Sequence, residues 1–334
     1  MGEGLSATVA KGSRLLVLER YRLLAAVVVV ALHTRLLADV ISDGYLLSDG
    51  VARLAVPYFA ALTGYFVGTR VVDDGLAAWR KWSMAVLRVY LALFPLYAPF
   101  FFWRLWLLAH DSLYSTLVAV PLQVFLTGYA YHLWYLPGMI YALFLASWLV
   151  RRNLRPTLVA GIAAGVYLTG SLGTTWAWVF PDSLFGRLVG FDGLRFLLLL
   201  FPMVVGGILL RRLGERFTKR AAWIGLGFGT LALVFEASVA HAHGSRSENL
   251  FCLPLITLCG LRLLLARPAP SESSFPFAKA SSLVYYFHLF PVLVLSFLTR
   301  THPIGSIPAF VLTMVATTAM VAVVLRTKLL ATFA

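Results

Sequence analysis

The sequence has 334 residues, of which 60% are hydrophobic and only 13% are charged, and its formal net charge is +14. A soluble protein typically has about 25% charged residues, so the composition excludes an ordinary soluble domain and indicates a polytopic membrane protein. The apolar runs are continuous rather than alternating, which predicts an all-α helix bundle and argues against a transmembrane β-barrel. The basic residues flank these runs instead of forming one stripe, so nucleic acid is not an expected partner.

Ten apolar runs are candidates for crossing a bilayer core of about 30 Å. The predicted spans are 17–38, 51–70, 83–108, 132–150, 156–171, 193–211, 221–240, 248–266, 278–298 and 306–327. The stretch 113–127 is apolar but short and contains Pro121, which predicts a re-entrant or interfacial segment. No repeat or linker divides the chain, so residues 1–334 are predicted to form one integral-membrane domain without a cleaved signal peptide.

The distribution of basic residues predicts the orientation of these spans. With the N-terminus in the cytoplasm, basic residues favour the cytoplasmic side by about three to one, as the positive-inside rule requires. Both termini are therefore expected in the cytoplasm. The minority on the opposite side consists of Arg35, Arg53, Arg104, Arg187, Arg195, Arg246 and Arg300.

The first span contains two polar residues at a helical spacing. Arg22 and His33 are eleven residues apart. On a helix they therefore share one face, about 20° apart around the axis and about 16 Å apart along it. In one interpretation, Arg22 anchors the helix at the cytoplasmic surface and His33 forms a structural hydrogen bond. In the other, Arg22 binds an anionic group at the cytoplasmic mouth and His33 acts as a general base. A long ligand with a charged head and a reactive far end fits the second interpretation.

The second and fourth spans contain further polar and aromatic candidates. In VARLAVPYFAALTGYFVG (51–68), Arg53 lies at the outer end, where snorkelling is the alternative to a functional role. Thr63 and Tyr65 either face a polar interior or bond to the backbone. The fourth span begins with YHLWYLPGMIYALF, in which His132 and Trp134 lie near the outer surface. Trp134 fits either an aromatic belt or a stacking platform for a sugar.

Two titratable side chains inside later spans are also candidates. SSLVYYFHLFPVLVL (281–295) carries His288 near the middle of the ninth span, with Tyr285 one turn before it. Glu236 lies one turn from the outer end of the seventh span. Such groups are costly inside a membrane and are functional candidates by default, although a structural hydrogen bond is the alternative for His288.

Other polar groups receive structural interpretations. Asp192 and Arg195 are three residues apart and are predicted to form an ion pair. His241 and His243 lack a third ligand, so no metal site is predicted. The nucleotide-binding, nucleophile-elbow and zinc-protease motifs are all missing from the sequence.

Four segments, in this order, resemble motifs of the membrane-bound acyltransferase family 3. Arg22 and His33 match the family's pattern of arginine, ten residues and histidine. RLAVPYFAALTGYF, HLWYLPGMI and SSLVYYFH are similar to its later motifs, which contain Val-Pro and Ser-Gly, His-x-Trp, and Ser, Tyr and His. Two departures are visible. Thr63 replaces the family's serine, and the family's basic cluster is spread over RKWSMAVLRVY, where we choose Arg88 as its arginine.

The resemblance implies an enzyme, namely an acyltransferase that transfers groups other than amino-acyl groups. It would be an O-acyltransferase of a bacterial-type inner (plasma) membrane. The donor would be a cytoplasmic acyl-CoA, most often acetyl-CoA, and the acceptor a hydroxyl of an extracytoplasmic or lipid-linked glycan. Acyl-CoA is then a co-substrate, no cofactor stays bound, and membrane lipid is a further partner.

The resemblance also assigns roles to residues. His33 would be catalytic, and Arg22 and Arg88 would contact the phosphates of CoA. Further candidates for acceptor binding or support are Arg53, Thr63, Tyr65, His132, Trp134, Glu236, Tyr285 and His288. Some family members carry an extracytoplasmic esterase-like domain. Because this chain ends soon after the tenth span, we expect the membrane domain or a separate partner to complete the transfer.

Two other function classes remain open from the sequence. Intramembrane histidine, glutamate and arginine residues also mark the substrate path of a transporter or flippase for a glycan or small polar substrate. The paired halves expected of inverted repeats are not visible, which weakens this alternative. A non-catalytic membrane scaffold is the second alternative.

Overall fold

The computed structural model describes residues 2–111, 120–179, 192–267 and 274–327, and these residues contain helices, turns and loops but no strand. The all-α prediction is therefore confirmed. The ten main helices are α1 (Gly2–His33), α2 (Leu46–Asp74), α3 (Leu76–Asp111), α4 (Tyr135–Val150), α5 (Pro156–Gly173), α6 (Phe196–Arg216), α7 (Lys219–Ala242), α8 (Leu253–Leu265), α9 (Phe277–Leu298) and α10 (Ser306–Arg326).

Seven of these helices are long and apolar enough to cross a membrane by themselves, namely α2, α3, α5, α6, α7, α9 and α10. Two more, α4 and α8, are apolar but shorter. Helix α1 is long enough, but its middle carries the charged residues Glu19, Arg20 and Arg22. Each of the ten predicted spans overlaps one helix, so an arrangement of about ten spans agrees with the structure.

The short segment before α4 is described only in part. Residues 120–127 are helical, and 112–119 lie outside the described residues. The helical segment ends at Gly128, whose φ of 76° lies in the left-handed region that glycine adopts readily. The hydroxyl of Tyr90 on α3 donates a hydrogen bond to the Val124 carbonyl oxygen at 2.7 Å. The predicted re-entrant character of 113–127 and the orientation of the termini stay predictions.

The two largest apolar clusters among the described residues form the core of the bundle. The first lies among α4, α5 and α6, and the second among α1, α3, α9 and α10. Helix α1 makes its most extensive contacts with the first half of α9, Phe277–Phe287. Because van der Waals packing drives helix association in lipid, these contacts fix the face of α1 that carries its polar residues.

Helices α2 and α6 approach each other through glycine. A Cβ atom added at Gly64 would lie 2.1 Å from the carbonyl oxygen of Val204, and one added at Gly207 would lie 2.0 Å from that of Ala61. Only a residue without a side chain fits at either position, as is common where membrane helices pack closely. This contact sets the position of α2, which contributes residues to the site.

A loop turns the chain immediately after His33. Arg35 and Leu37 adopt φ angles of 50° and 70°, in the left-handed region. Asp39 then accepts hydrogen bonds from the backbone N–H of Ser306 at 2.9 Å and from the Ser306 hydroxyl, which caps the start of α10. The Ser306 hydroxyl bond is the main reason that the pKa of Asp39 is lowered from its ordinary value. The end of α1 is thereby tied to α10.

Candidate active site

Two cavities lie within the helix bundle and share the lining residue Tyr285. The first, the Arg22 cavity, has a volume of about 430 Å³ and lies among α1, α2, α3, α4 and α9. The second, the His33 cavity, has a volume of about 840 Å³ and also includes the loop between α7 and α8. Arg22 and His33 thus lie on one continuous helix but face different cavities, as the eleven-residue spacing allows.

Tyr285 borders both cavities and forms part of the wall between them. It is only 8% exposed, and its ring lies 6.3 Å from Phe59 and 5.7 Å from Tyr135 between ring centroids. Its hydroxyl donates a hydrogen bond to the carbonyl oxygen of His132 at 2.5 Å. A group that reaches from the Arg22 cavity towards His33 therefore passes this aromatic wall.

Three histidines form a cluster at the His33 cavity. The rings of His33 and His288 are stacked with centroids 5.2 Å apart, and the rings of His132 and His288 meet edge-on at 5.1 Å. His33 is half-buried and lines the cavity, His132 is buried but also lines it, and His288 is buried behind them. No group of three His, Cys, Asp or Glu side chains is arranged to hold a metal ion within the described residues.

Local helix geometry positions His288. Pro291 has no N–H for the carbonyl oxygen of Phe287, and helix α9 breaks at His288 into Phe277–Phe287 and Leu289–Leu298. The Nδ1 atom of His288 bonds to the carbonyl oxygens of Tyr285 at 2.8 Å and Val284 at 3.1 Å. Carbonyl oxygens only accept, so Nδ1 carries the proton and the buried Nε2, which has no protein partner, is an acceptor.

The Arg22 cavity combines two guanidinium groups with several hydroxyl groups. Arg22 and Arg70 line it together with one carboxylate, Glu19, and the hydroxyl groups of Thr63 and Ser281. The Thr63 hydroxyl donates to the Phe59 carbonyl oxygen at 2.9 Å, whereas the buried Ser281 hydroxyl has no hydrogen-bond partner among the described residues. These groups can bind an anionic head and a polar chain behind it.

Arg88, the residue chosen from the sequence, is exposed and does not line the Arg22 cavity. Arg70, at the end of α2, does. Sequence reasoning missed Arg70 because it counted this residue only among the basic residues that determine orientation. Arg70 lies five residues before Gly75, where φ is 82° and α2 ends. A glycine at the end of a helix was the available signal that Arg70 lies at the mouth of the bundle.

Four of the predicted candidates line neither cavity, namely Arg88, His288, Glu236 and Tyr65. Glu236 is buried and accepts backbone hydrogen bonds from Phe251 and Cys252, both at 2.9 Å. It therefore caps the start of α8, which is a structural task. Tyr65 is half-buried, and the guanidinium carbon of Arg211 lies 5.3 Å from its ring centroid.

The His33 cavity is rich in arginine. Its lining includes Asp49 and Glu248 and five arginines, Arg35, Arg53, Arg104, Arg195 and Arg246. Arg53 pairs with Asp49 at 3.3 Å. Arg195 pairs with Glu248 at 2.8 Å, and the side chain of Asp192, its predicted partner, lies outside the described part of the chain.

Trp134 also lines this cavity, and the guanidinium carbon of Arg195 lies 5.6 Å from its ring centroid. Of the cavity arginines, only Arg53 was a predicted site residue. The signal for the others was their predicted location on the outer side, against the positive-inside rule. Arg187 belongs to the same predicted group and lies outside the described residues.

Comparison with known proteins identifies the family. The model of acyltransferase family 3, described as an acyltransferase domain, matches residues 18–326. A serine/alanine racemase of Enterococcus gallinarum is 25% identical over 296 residues, which cover 85% of this chain and 42% of that protein. An amino-acid racemase of Enterococcus faecalis is 30% identical over 167 residues, or 48% of this chain and 23% of that protein.

The chain therefore spans less than half the length of these curated relatives. No solved structure matches it significantly. The family match begins within α1, at residue 18, and covers the other nine helices and the residues that line both cavities. The chain belongs to acyltransferase family 3, and its apolar helices make it an integral-membrane protein.

Proposed function

We propose that the protein transfers an acyl group, with acetyl expected, from cytoplasmic acyl-CoA in the Arg22 cavity to a hydroxyl of a glycan in the His33 cavity. The glycan is extracytoplasmic or lipid-linked, and the membrane is of the bacterial inner type. One observation carries this proposal: Arg22 and His33 lie on one helix but line different cavities, with Tyr285 bordering both. A donor with its phosphates and thioester far apart suits this arrangement.

Donor binding is assigned to Arg22 and Arg70. Guanidinium groups form strong bidentate hydrogen bonds to phosphate, and the two arginines line the same cavity. The unpartnered hydroxyl of Ser281 is available to an amide of the pantetheine chain. Arg88 is a weaker choice because it is exposed outside this cavity.

His33 is assigned as the general base. A ring nitrogen of neutral His33 accepts the proton of the acceptor hydroxyl while the hydroxyl oxygen attacks the thioester carbonyl carbon. The carbon–sulfur bond then breaks, and the CoA thiolate takes the proton from His33, so the products are an ester and free CoA. His288, stacked on His33, orients its ring, and His132 supports His288 from the other side.

The racemase names of the relatives are not carried over to this chain. Those proteins are more than twice as long as the part that this chain matches, and their names describe whole proteins. A transporter or flippase is the alternative function because arginine and histidine residues also line substrate paths. An acyltransferase cleaves the thioester of acyl-CoA, whereas a transporter leaves it intact, so the fate of the thioester separates the two functions.

The test uses the purified full chain in detergent with acetyl-CoA labelled in the acetyl group and a membrane extract as the source of acceptor. We expect release of free CoA thiol that depends on the extract, with label moving to a glycan fraction. Intact acetyl-CoA after incubation, together with movement of a glycan across proteoliposome membranes, would instead establish a carrier. Extract heated to destroy its enzymes, but not its glycans, serves as the acceptor source in the control.

A further inference from the structure

The described residues that line the His33 cavity carry an excess of positive charge that acyl transfer to a neutral sugar does not need. Five arginines and two carboxylates line it, so the described lining residues include three more guanidinium groups than carboxylates. Arg53 pairs with Asp49 at 3.3 Å, and Arg195 pairs with Glu248 at 2.8 Å. The repulsion within such a cavity falls when an anion binds.

These arginines lie together around one cavity. The positive-inside rule disfavours basic residues on the side predicted to be outer, yet the described outer arginines converge on this cavity with the exception of Arg300. They come from separate parts of the chain, including the loop after α1, helix α2, helix α3 and the loop after α7. Helix anchoring explains a single arginine at a membrane surface but not this convergence.

We propose that the acceptor carries an oxyanion, a phosphate or a carboxylate, and that the arginines of the His33 cavity bind it. This inference rests on the proposed function, because it names the chemical class of the acceptor. Planar guanidinium groups match both oxyanions in bidentate geometry. The Nε atom of Arg53 is buried without a hydrogen-bond partner and is available for such a contact.

The same cavity contains the parts that a charged glycan needs. His33 lines it, Trp134 offers an aromatic face for a sugar ring, and the arginines supply the anion site. Its volume of about 840 Å³ is roughly twice that of the Arg22 cavity and is within the usual range for ligand sites. Binding of the oxyanion by the arginines thus holds the reacting hydroxyl beside His33.

A binding experiment tests the inference without acyl transfer. The full chain, saturated with CoA so that the Arg22 cavity is occupied, is titrated with glucose 1-phosphate, glucuronate or glucose. We expect binding of one or both anions and none of glucose at the same concentration. The phosphate and carboxylate probes distinguish the two sources of the oxyanion. Equal binding of glucose and the anions, or no binding of either anion, would overturn the proposal.

Matched variants locate the site. Arg35 and Arg246 are exposed residues of the cavity wall, so the double variant Arg35→Gln/Arg246→Gln is expected to fold. It should raise the Kd for the bound anion roughly 100-fold, because each charged hydrogen bond contributes about a factor of ten or more. Arg300→Gln is the control, since Arg300 is exposed and lines neither cavity. An equal loss of affinity in the control would contradict the proposal.

The labelled product of the acyl-transfer assay supplies the second measurement. A product retained on an anion-exchange column supports the inference, and phosphatase or carboxyl reduction identifies the retained group. A neutral product overturns the inference and leaves the proposed function standing. The opposite outcome is anion binding that depends on the arginines but no acyl transfer to any glycan. In that case the proposed function fails and the anion site stands.

Discussion

Replacement of Glu236 by alanine should destabilise the protein without changing its chemistry. The carboxylate is buried and accepts two backbone hydrogen bonds of 2.9 Å at the start of α8. Each buried N–H left without a partner costs about 1–3 kcal/mol, so the variant loses about 2–6 kcal/mol. With an unfolding entropy of about 2.1 cal/mol/K per residue over 334 residues, Tm should fall by about 3–9 °C.

Thermal unfolding of the purified variant in detergent measures this loss. Glu236→Gln keeps one of the two acceptor oxygens and should give an intermediate Tm. Glu215→Ala is the matched control, because Glu215 is exposed and its removal should change stability by no more than about 0.5 kcal/mol. Unchanged Tm together with lost acyl transfer in Glu236→Ala would refute the structural role and return Glu236 to the list of catalytic candidates.

Three further predictions follow from the donor site, the helix packing and the loop after α1. Arg70→Gln should raise KM for acyl-CoA about tenfold or more in initial-rate assays, whereas Arg88→Gln should change it less than about twofold, and the reverse order would contradict the donor assignment. Gly64→Ala should lower stability by about 1–3 kcal/mol in thermal unfolding, because its methyl group meets a backbone carbonyl, whereas Gly161→Ala has open space and should not destabilise. Asp39→Asn should lower Tm at pH 7. Since the folded pKa of Asp39 lies below its ordinary value of 3.8, the difference from the wild type should be full above that value and close as pH falls through the lowered pKa. A difference that is independent of pH would contradict this.

The helices were largely predictable because a bilayer demands long apolar segments and internally satisfied backbones. The ends of α5 and α10 agree closely with the predicted spans 156–171 and 306–327. The spacing of Arg22 and His33 was also informative, since α1 is continuous between them and the period of an α-helix fixes their relative angle.

Features that depend on tertiary packing were not predictable from one sequence. The choice between Arg70 and Arg88 depends on how α2 and α3 are rotated about their axes. The sequence around each arginine does not reveal that rotation. The capping role of Glu236 depends on the fold of the loop that carries Phe251. The convergence of arginines from separate segments depends on how those segments pack, so the sequence showed only that they were on the unexpected side of the membrane.

The most direct test of the central claim is the rate of acyl transfer by His33→Ala. His302→Ala is the matched control, because His302 is an exposed histidine that lines neither cavity. Both variants are purified, checked for an unchanged Tm and assayed with saturating labelled acetyl-CoA and acceptor. General-base catalysis contributes about 10²–10⁴-fold, so kcat of His33→Ala should fall by that factor while the control keeps the wild-type rate. Wild-type transfer by folded His33→Ala would contradict the account.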